Sequence, residues 1–169
     1  MKYGGSHFHM EREGEYQYYK SFGISKEQER LWIGEYLKEM LNNIEGEDII
    51  SPFFSEFTST IRRSKDTLYF KKLLELIKKK RIDIDSFSQM RMAEEIFRII
   101  ESFREENNDS KNVKVINDAK DLALDILNGI IKNPITVATY YRDIGYLDDA
   151  IQEDKIIYRL QRLIEKWKK

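Results

Sequence analysis

Ile61–Arg81, IRRSKDTLYFKKLLELIKKKR, is the stretch from which the fold of this chain is read. At 100° per residue, Tyr69, Phe70, Leu73, Leu74, Leu76 and Ile77 fall within about 160° of one helix face. Lys71, Lys72, Lys78 and Lys79 fall on the opposite side. The stretch therefore reads as a helix with a buried face and a cationic back. Across Arg62–Arg81 there are nine Lys or Arg against Asp66 and Glu75, a net +7. The residues before carry net −5 and those after net −3, so a formal total of −1 conceals a basic centre between acidic flanks.

The same periodicity extends along the chain. Ser25 is a good N-cap with Gln28 three residues on, and Ile33, Tyr36, Leu37, Met40, Leu41 and Ile44 follow at helical spacing to Gly46. Ser51-Pro52 opens a helix with apolar Phe53, Phe54, Phe57 and Ile61, the proline standing where no N–H is needed. Ser64 or Asp66 is expected to cap the basic helix. Arg62, Arg63 and Lys65 would then sit at a corner, where three cations and new helix N–H groups could hold an anion. Asp85 is expected to cap a helix to about Glu106, apolar over half its circumference through Met90, Met92, Ala93, Ile96, Phe97, Ile99, Ile100 and Phe103. So wide a face needs two or more neighbours. The next helix is expected from Asn112 to Lys132, a short one over Ile135–Ile144, and a last one ending at Trp167 with a break near Asp154. No segment alternates with period two. The expectation is an all-α fold, a compact multi-helix bundle of about seven helices with no sheet.

Length sets the organisation. The 169 residues suit one helical domain over 23–169, preceded by a Tyr-rich arm over 1–22. The arm's start, MKYGGSHFHM, has the look of an expression scar as well as of native sequence, with Met10 the alternative beginning. Tyr16, Tyr18, Tyr19 and Phe22 read as rings packed on the bundle ahead of a stacking platform for bases, because only Lys20 is basic there. His7, His9 and Glu11 have a metal-like spacing, but a terminal cluster of this kind seldom closes a site. Cysteine is absent, which removes thiolate and disulfide chemistry and suits a reducing cytoplasm. No apolar run is long enough to span a membrane. The high charge content, with abundant Ile, Lys and Glu, fits an archaeal or thermophilic source.

Three functional classes compete. Catalysis lacks its usual signatures, since no phosphate-binding glycine loop, HExxH or GxSxG occurs. Asp118, Asp121 and Asp125 align on one helix side, as magnesium-holding acids do in all-α nucleotide hydrolases, with Glu94 or Glu101 as the facing acid. Helical phase turns the three aspartates about 150° from their apolar centre, hence toward solvent. Both glutamates fall on the outer side of their own helix, with Glu94 spaced to pair with Arg98. A helix-turn-helix over Thr136–Gly145 and beyond fails on charge, because Asp148, Asp149, Glu153 and Asp154 would face phosphates. YYRDIGYLDDAI, at 140–151, resembles one helical-repeat turn, and solenoids need several.

The basic helix remains. Arg62, Arg63, Lys65, Lys71, Lys72, Lys78, Lys79, Lys80 and Arg81 are the candidate nucleic-acid-binding residues, meeting phosphates without reading sequence. The expectation is a cytoplasmic, non-catalytic accessory subunit of a nucleic-acid-processing complex, with a protein partner, no membrane contact, no cofactor and no metal. The alternatives are a protein–protein adaptor and an all-α magnesium-dependent hydrolase. Small helical subunits with a basic face occur in archaeal replication complexes and in CRISPR effectors, an analogy of class that no motif here supports.

Overall fold

A computed structural model describes residue 10 and residues 12–46, 52–81, 84–104, 110–138 and 151–168, without the side chains of 45, 46, 52, 53, 110 and 111. Among these residues there are seven helices and no strand: α1 (Tyr16–Ser21), α2 (Lys26–Gly46), α3 (Pro52–Ser64), α4 (Thr67–Lys80), α5 (Ser86–Arg104), α6 (Ser110–Ile131) and α7 (Glu153–Lys168). The chain is all-α, as its periodicity predicts. It divides into two units, Met1–Phe70 and Lys71–Lys169, with the boundary inside α4.

In the first unit α2 packs against α3. Ser25 Oγ accepts the Gln28 N–H at 3.1 Å, the cap expected at the start of α2. Leu37, Met40, Leu41 and Ile44 on α2, and Phe54, Phe57 and Ile61 on α3, are buried. Phe57 meets Tyr69 edge to face with ring centroids 6.4 Å apart. α1 departs from expectation. It buries none of its residues, and Tyr18 and Phe22 lie edge to face with each other while remaining exposed. The arm's rings therefore do not pack into a core. Tyr19 is tied to α2, its hydroxyl donating to the Glu29 carboxylate. Gly23, at φ +59°, separates α1 from α2.

The second unit is a three-helix arrangement joined by the C-terminal half of α4. α5 packs against α6, and α7 packs against both. The wide apolar face of α5 is buried along its length, as its need for several neighbours implies. Val115, Ala119, Leu122, Ala123, Ile126, Leu127 and Ile130 of α6 complete this core with Ile156, Leu160, Ile164 and Trp167 of α7. The indole of Trp167 stacks on Phe97, 4.3 Å between centroids and 6° from parallel. Asp85 Oδ1 accepts the Ser88 N–H at 3.1 Å, so the expected cap of α5 is in place.

The short helix expected at Ile135–Ile144 does not begin where predicted. Residues 134–138 are non-helical, and 139–144 lie outside the described residues. The first N–H groups of a helix have no partner within it, and Thr136 supplies partners for α5. Its Oγ1 accepts the Ser86 N–H at 3.0 Å and its carbonyl accepts the Phe87 N–H at 3.1 Å. Thr136 N–H in turn donates to Ser86 Oγ at 3.1 Å. These tertiary bonds hold the backbone outside the helical pattern that side-chain spacing suggested. Among the described residues the seventh helix is α1, from the arm. α7 begins at Glu153, which places the expected break one residue earlier than Asp154.

Candidate nucleic-acid interface

The C-terminal part of α4 carries the predicted amphipathic split. Leu73, Leu74, Leu76 and Ile77 are buried in the second unit, and Lys71, Lys72, Lys78 and Lys79 are exposed. Leucine and lysine are good helix formers, and three lysines in the last turn complement the negative end of the helix dipole. No ion pair to another described residue holds Lys71, Lys78 or Lys79. Exposed Glu75 stands three or four residues from each lysine, at the centre of their face. Four lysines and one glutamate give this surface a net +3.

The other predicted cations are placed differently. Lys80 and Arg81 are half-buried, and Arg81 Nη1 pairs with Asp125 Oδ2 of α6 at 2.7 Å. In the first unit Arg63 turns back along α3. It bonds Ser59 Oγ at 2.9 Å and Thr60 Oγ1 at 3.0 Å, and pairs with Glu56 at 3.4 Å. Arg62 and Lys65 are half-buried, and Lys65 holds a left-handed φ of 55° at the turn into α4. Asp66, one of the two caps expected, serves this helix N-terminus, its Oδ1 accepting the Tyr69 N–H at 2.9 Å. The expected convergence of three cations and free N–H groups on an anion is therefore corrected. A carboxylate stands there, and Arg63 points back along α3.

The acidic residues also separate. Asp118, Asp121 and Asp125 are exposed, as helical phase predicts. The placement of Glu94 does not follow its phase. It is only 9% exposed and forms a two-pronged pair with Arg159 of α7, Nε to Oε1 at 2.5 Å and Nη2 to Oε2 at 2.8 Å. Arg98 pairs with Glu95 instead, at 2.5 Å. The expected Glu94–Arg98 pair is thus replaced because α7 brings an arginine over that side of α5. Glu101 pairs with Lys166 at 2.6 Å. Among the described residues no group of three His, Asp or Glu could hold a metal ion. His7, His9 and Glu11 lie outside the described residues, as do the segments from 139 to 150.

Two features escape sequence reading. Trp32, Glu35, Tyr36 and Glu39 line a surface hollow of about 410 Å³ on α2. Burial first, then the nearby Glu56 carboxylate, raises the Tyr36 hydroxyl above its ordinary pKa. Of these four only Tyr36 falls on the apolar period of α2, and Trp32, Glu35 and Glu39 form no motif that sequence reading would single out. The second feature is a cleft, also of about 410 Å³, where Arg81, the start of α5, the end of α6 and Thr136 meet. Its residues come from four separate segments, so no local motif announces it. Neither a protein family nor a characterised protein nor a solved structure matches this chain.

Proposed function

We propose that this protein is a non-catalytic nucleic-acid-binding subunit that meets phosphate backbone through the lysine face of α4. One observation carries the reading: Lys71, Lys72, Lys78 and Lys79 share an exposed helix face whose opposite side is locked in the core. A core-anchored helix presents its charges in a fixed row, so phosphates are met without ordering a loop. Binding of this kind is salt-sensitive and indifferent to sequence.

Glu75 supplies the test. It opposes phosphate at the centre of the lysine row, so Glu75→Lys should raise affinity for labelled oligonucleotides and steepen the salt dependence. Reversing Lys71, Lys72, Lys78 and Lys79 to Glu should abolish binding, with the helical circular dichroism preserved. Absence of binding by the natural protein at low salt would overturn the proposal. An adaptor reading draws on a different observation, the exposed Tyr18, Phe22 and Leu31 of the first unit. Partner capture lost on substituting these, with oligonucleotide binding intact, would favour it.

A further inference from the structure

The cleft beside Arg81 has the composition of a ligand site and no part in backbone contact. Ile84, Ile126, Ile130 and Pro134 give it apolar walls, and Gln89, Asn133 and Asp125 bring polar atoms to it. Its volume of about 410 Å³ lies within the range of small-molecule pockets. The polar groups are positioned by the fold. Arg81 is held by Asp125 at 2.7 Å, and Gln89 Nε2 donates to the Ile84 carbonyl at 2.7 Å. Asn133 Nδ2 donates to the Gly129 carbonyl at 2.8 Å. Each amide nitrogen is thereby engaged while its side-chain oxygen can still accept. A cleft that combines apolar side chains with amide oxygens able to accept and one guanidinium suits a planar heterocycle bearing an amino group.

Position narrows the ligand further. Arg81 lies about 4.5 Å beyond Lys78 along the helix axis and about 60° around it, so the cleft adjoins the Lys78 end of the lysine row. A strand that follows Lys71, Lys72, Lys78 and Lys79 must turn past Lys78 toward the buried side of α4 to reach the cleft. Bases in a duplex are stacked and paired, and extracting one costs a few kcal/mol, whereas a single strand offers them freely. We infer that the cleft lined by Arg81, Gln89, Asp125 and Asn133 is a nucleobase pocket, and that it makes the lysine face of α4 a single-strand site. The strand preference rests on the backbone-binding reading; the pocket itself does not.

Gly129 allows the two to be tested apart. It lines the cleft, its φ is not left-handed, and a Cβ added there meets nothing within 4 Å. Gly129→Leu therefore adds a side chain to the cleft lining with no clash at Cβ and replaces a poor helix former with a good one. Amide NMR shifts would be followed as adenosine monophosphate is added, with ribose 5-phosphate as the base-free control. The expected result is movement of Ser86, Gly129 and Thr136 with adenosine monophosphate alone, lost in the Gly129→Leu protein. The melting temperature of that variant verifies its fold. Oligonucleotide titrations should show single-strand affinity falling about tenfold in the variant, the worth of one stacked base, with duplex affinity unchanged.

No shift with adenosine monophosphate, or equal shifts with ribose 5-phosphate, would overturn the pocket. Equal single-strand and duplex binding, unaffected by Gly129→Leu, would overturn its role in strand choice and leave the lysine face standing. Shifts with adenosine monophosphate but no oligonucleotide binding would remove the backbone reading and keep the pocket.

Discussion

Arg159→Ala tests how the second unit is held together. Glu94 is nine-tenths buried, and both of its carboxylate oxygens accept from the Arg159 guanidinium at 2.5 and 2.8 Å. Removing the arginine leaves a carboxylate in a place where water reaches it poorly. A fully buried pair broken on one side loses about 3–5 kcal/mol. Arg159 itself is 40% exposed, so water can enter the vacated volume and solvate part of the charge. The expected loss is therefore about 2–3 kcal/mol, near the range for hydrogen bonds to charged groups. Arg159→Lys keeps the charge but loses the two-pronged geometry, and should fall about midway.

Lys166→Ala is the matched control, because the Lys166–Glu101 pair is exposed on both sides and comes from the same two helices. It should change stability by less than about 0.5 kcal/mol. Urea unfolding followed by circular dichroism gives both values, read from midpoints at constant slope. Equal losses in the two variants would refute the reasoning, since burial would then not govern what an ion pair contributes in this unit.

Further expectations concern the first unit. Tyr19 is pushed up to about 12 by burial and by its bond to the Glu29 carboxylate, against an ordinary value of 10. Its folded pKa is above its unfolded one, so its contribution is complete below pH 10 and disappears as pH rises toward 12. Tyr19→Phe should flatten that alkaline loss, and ultraviolet titration of phenolate should find Tyr19 ionising late; early ionisation would refute the bond. Phe57→Ala removes a fully buried ring in contact with Tyr69 and should cost about 3–5 kcal/mol, while exposed Leu68→Ala should cost almost nothing in the same urea assay. Asp66→Ala should lose about 1 kcal/mol and Asp66→Asn much less, because an amide oxygen can still accept the Tyr69 N–H. Equal losses from the two Asp66 variants would mean that charge, not the cap, is what matters.

Much of this fold was legible because its helices announce themselves through local chemistry. Ser25, Asp66 and Asp85 cap where short polar side chains precede an apolar period, and the faces of α4, α5 and α6 follow from spacing alone. What stayed hidden depends on partners far along the chain. Thr136 escapes the helical pattern because it satisfies α5 from fifty residues away. Glu94 reads as a surface charge until Arg159, sixty-five residues on, is laid over it. The candidate interface divides in the same way. Exposure of the four lysines follows from the phase of one helix, whereas the engagement of Arg81 with Asp125 requires knowing which helix lies beside it.

The reciprocal bonds between Ser86 and Thr136 have a consequence for motion. Helix ends ordinarily fray, and their amides trade hydrogen for deuterium long before those of the interior. Here the first amides of α5 are bonded by Thr136, five residues past the end of α6, so the start of α5 is tied to the segment that follows α6. The Ser86, Phe87 and Thr136 amides should therefore exchange together and slowly, which hydrogen exchange followed by NMR would check. On that expectation the rim of the cleft opens more slowly than an ordinary frayed helix end.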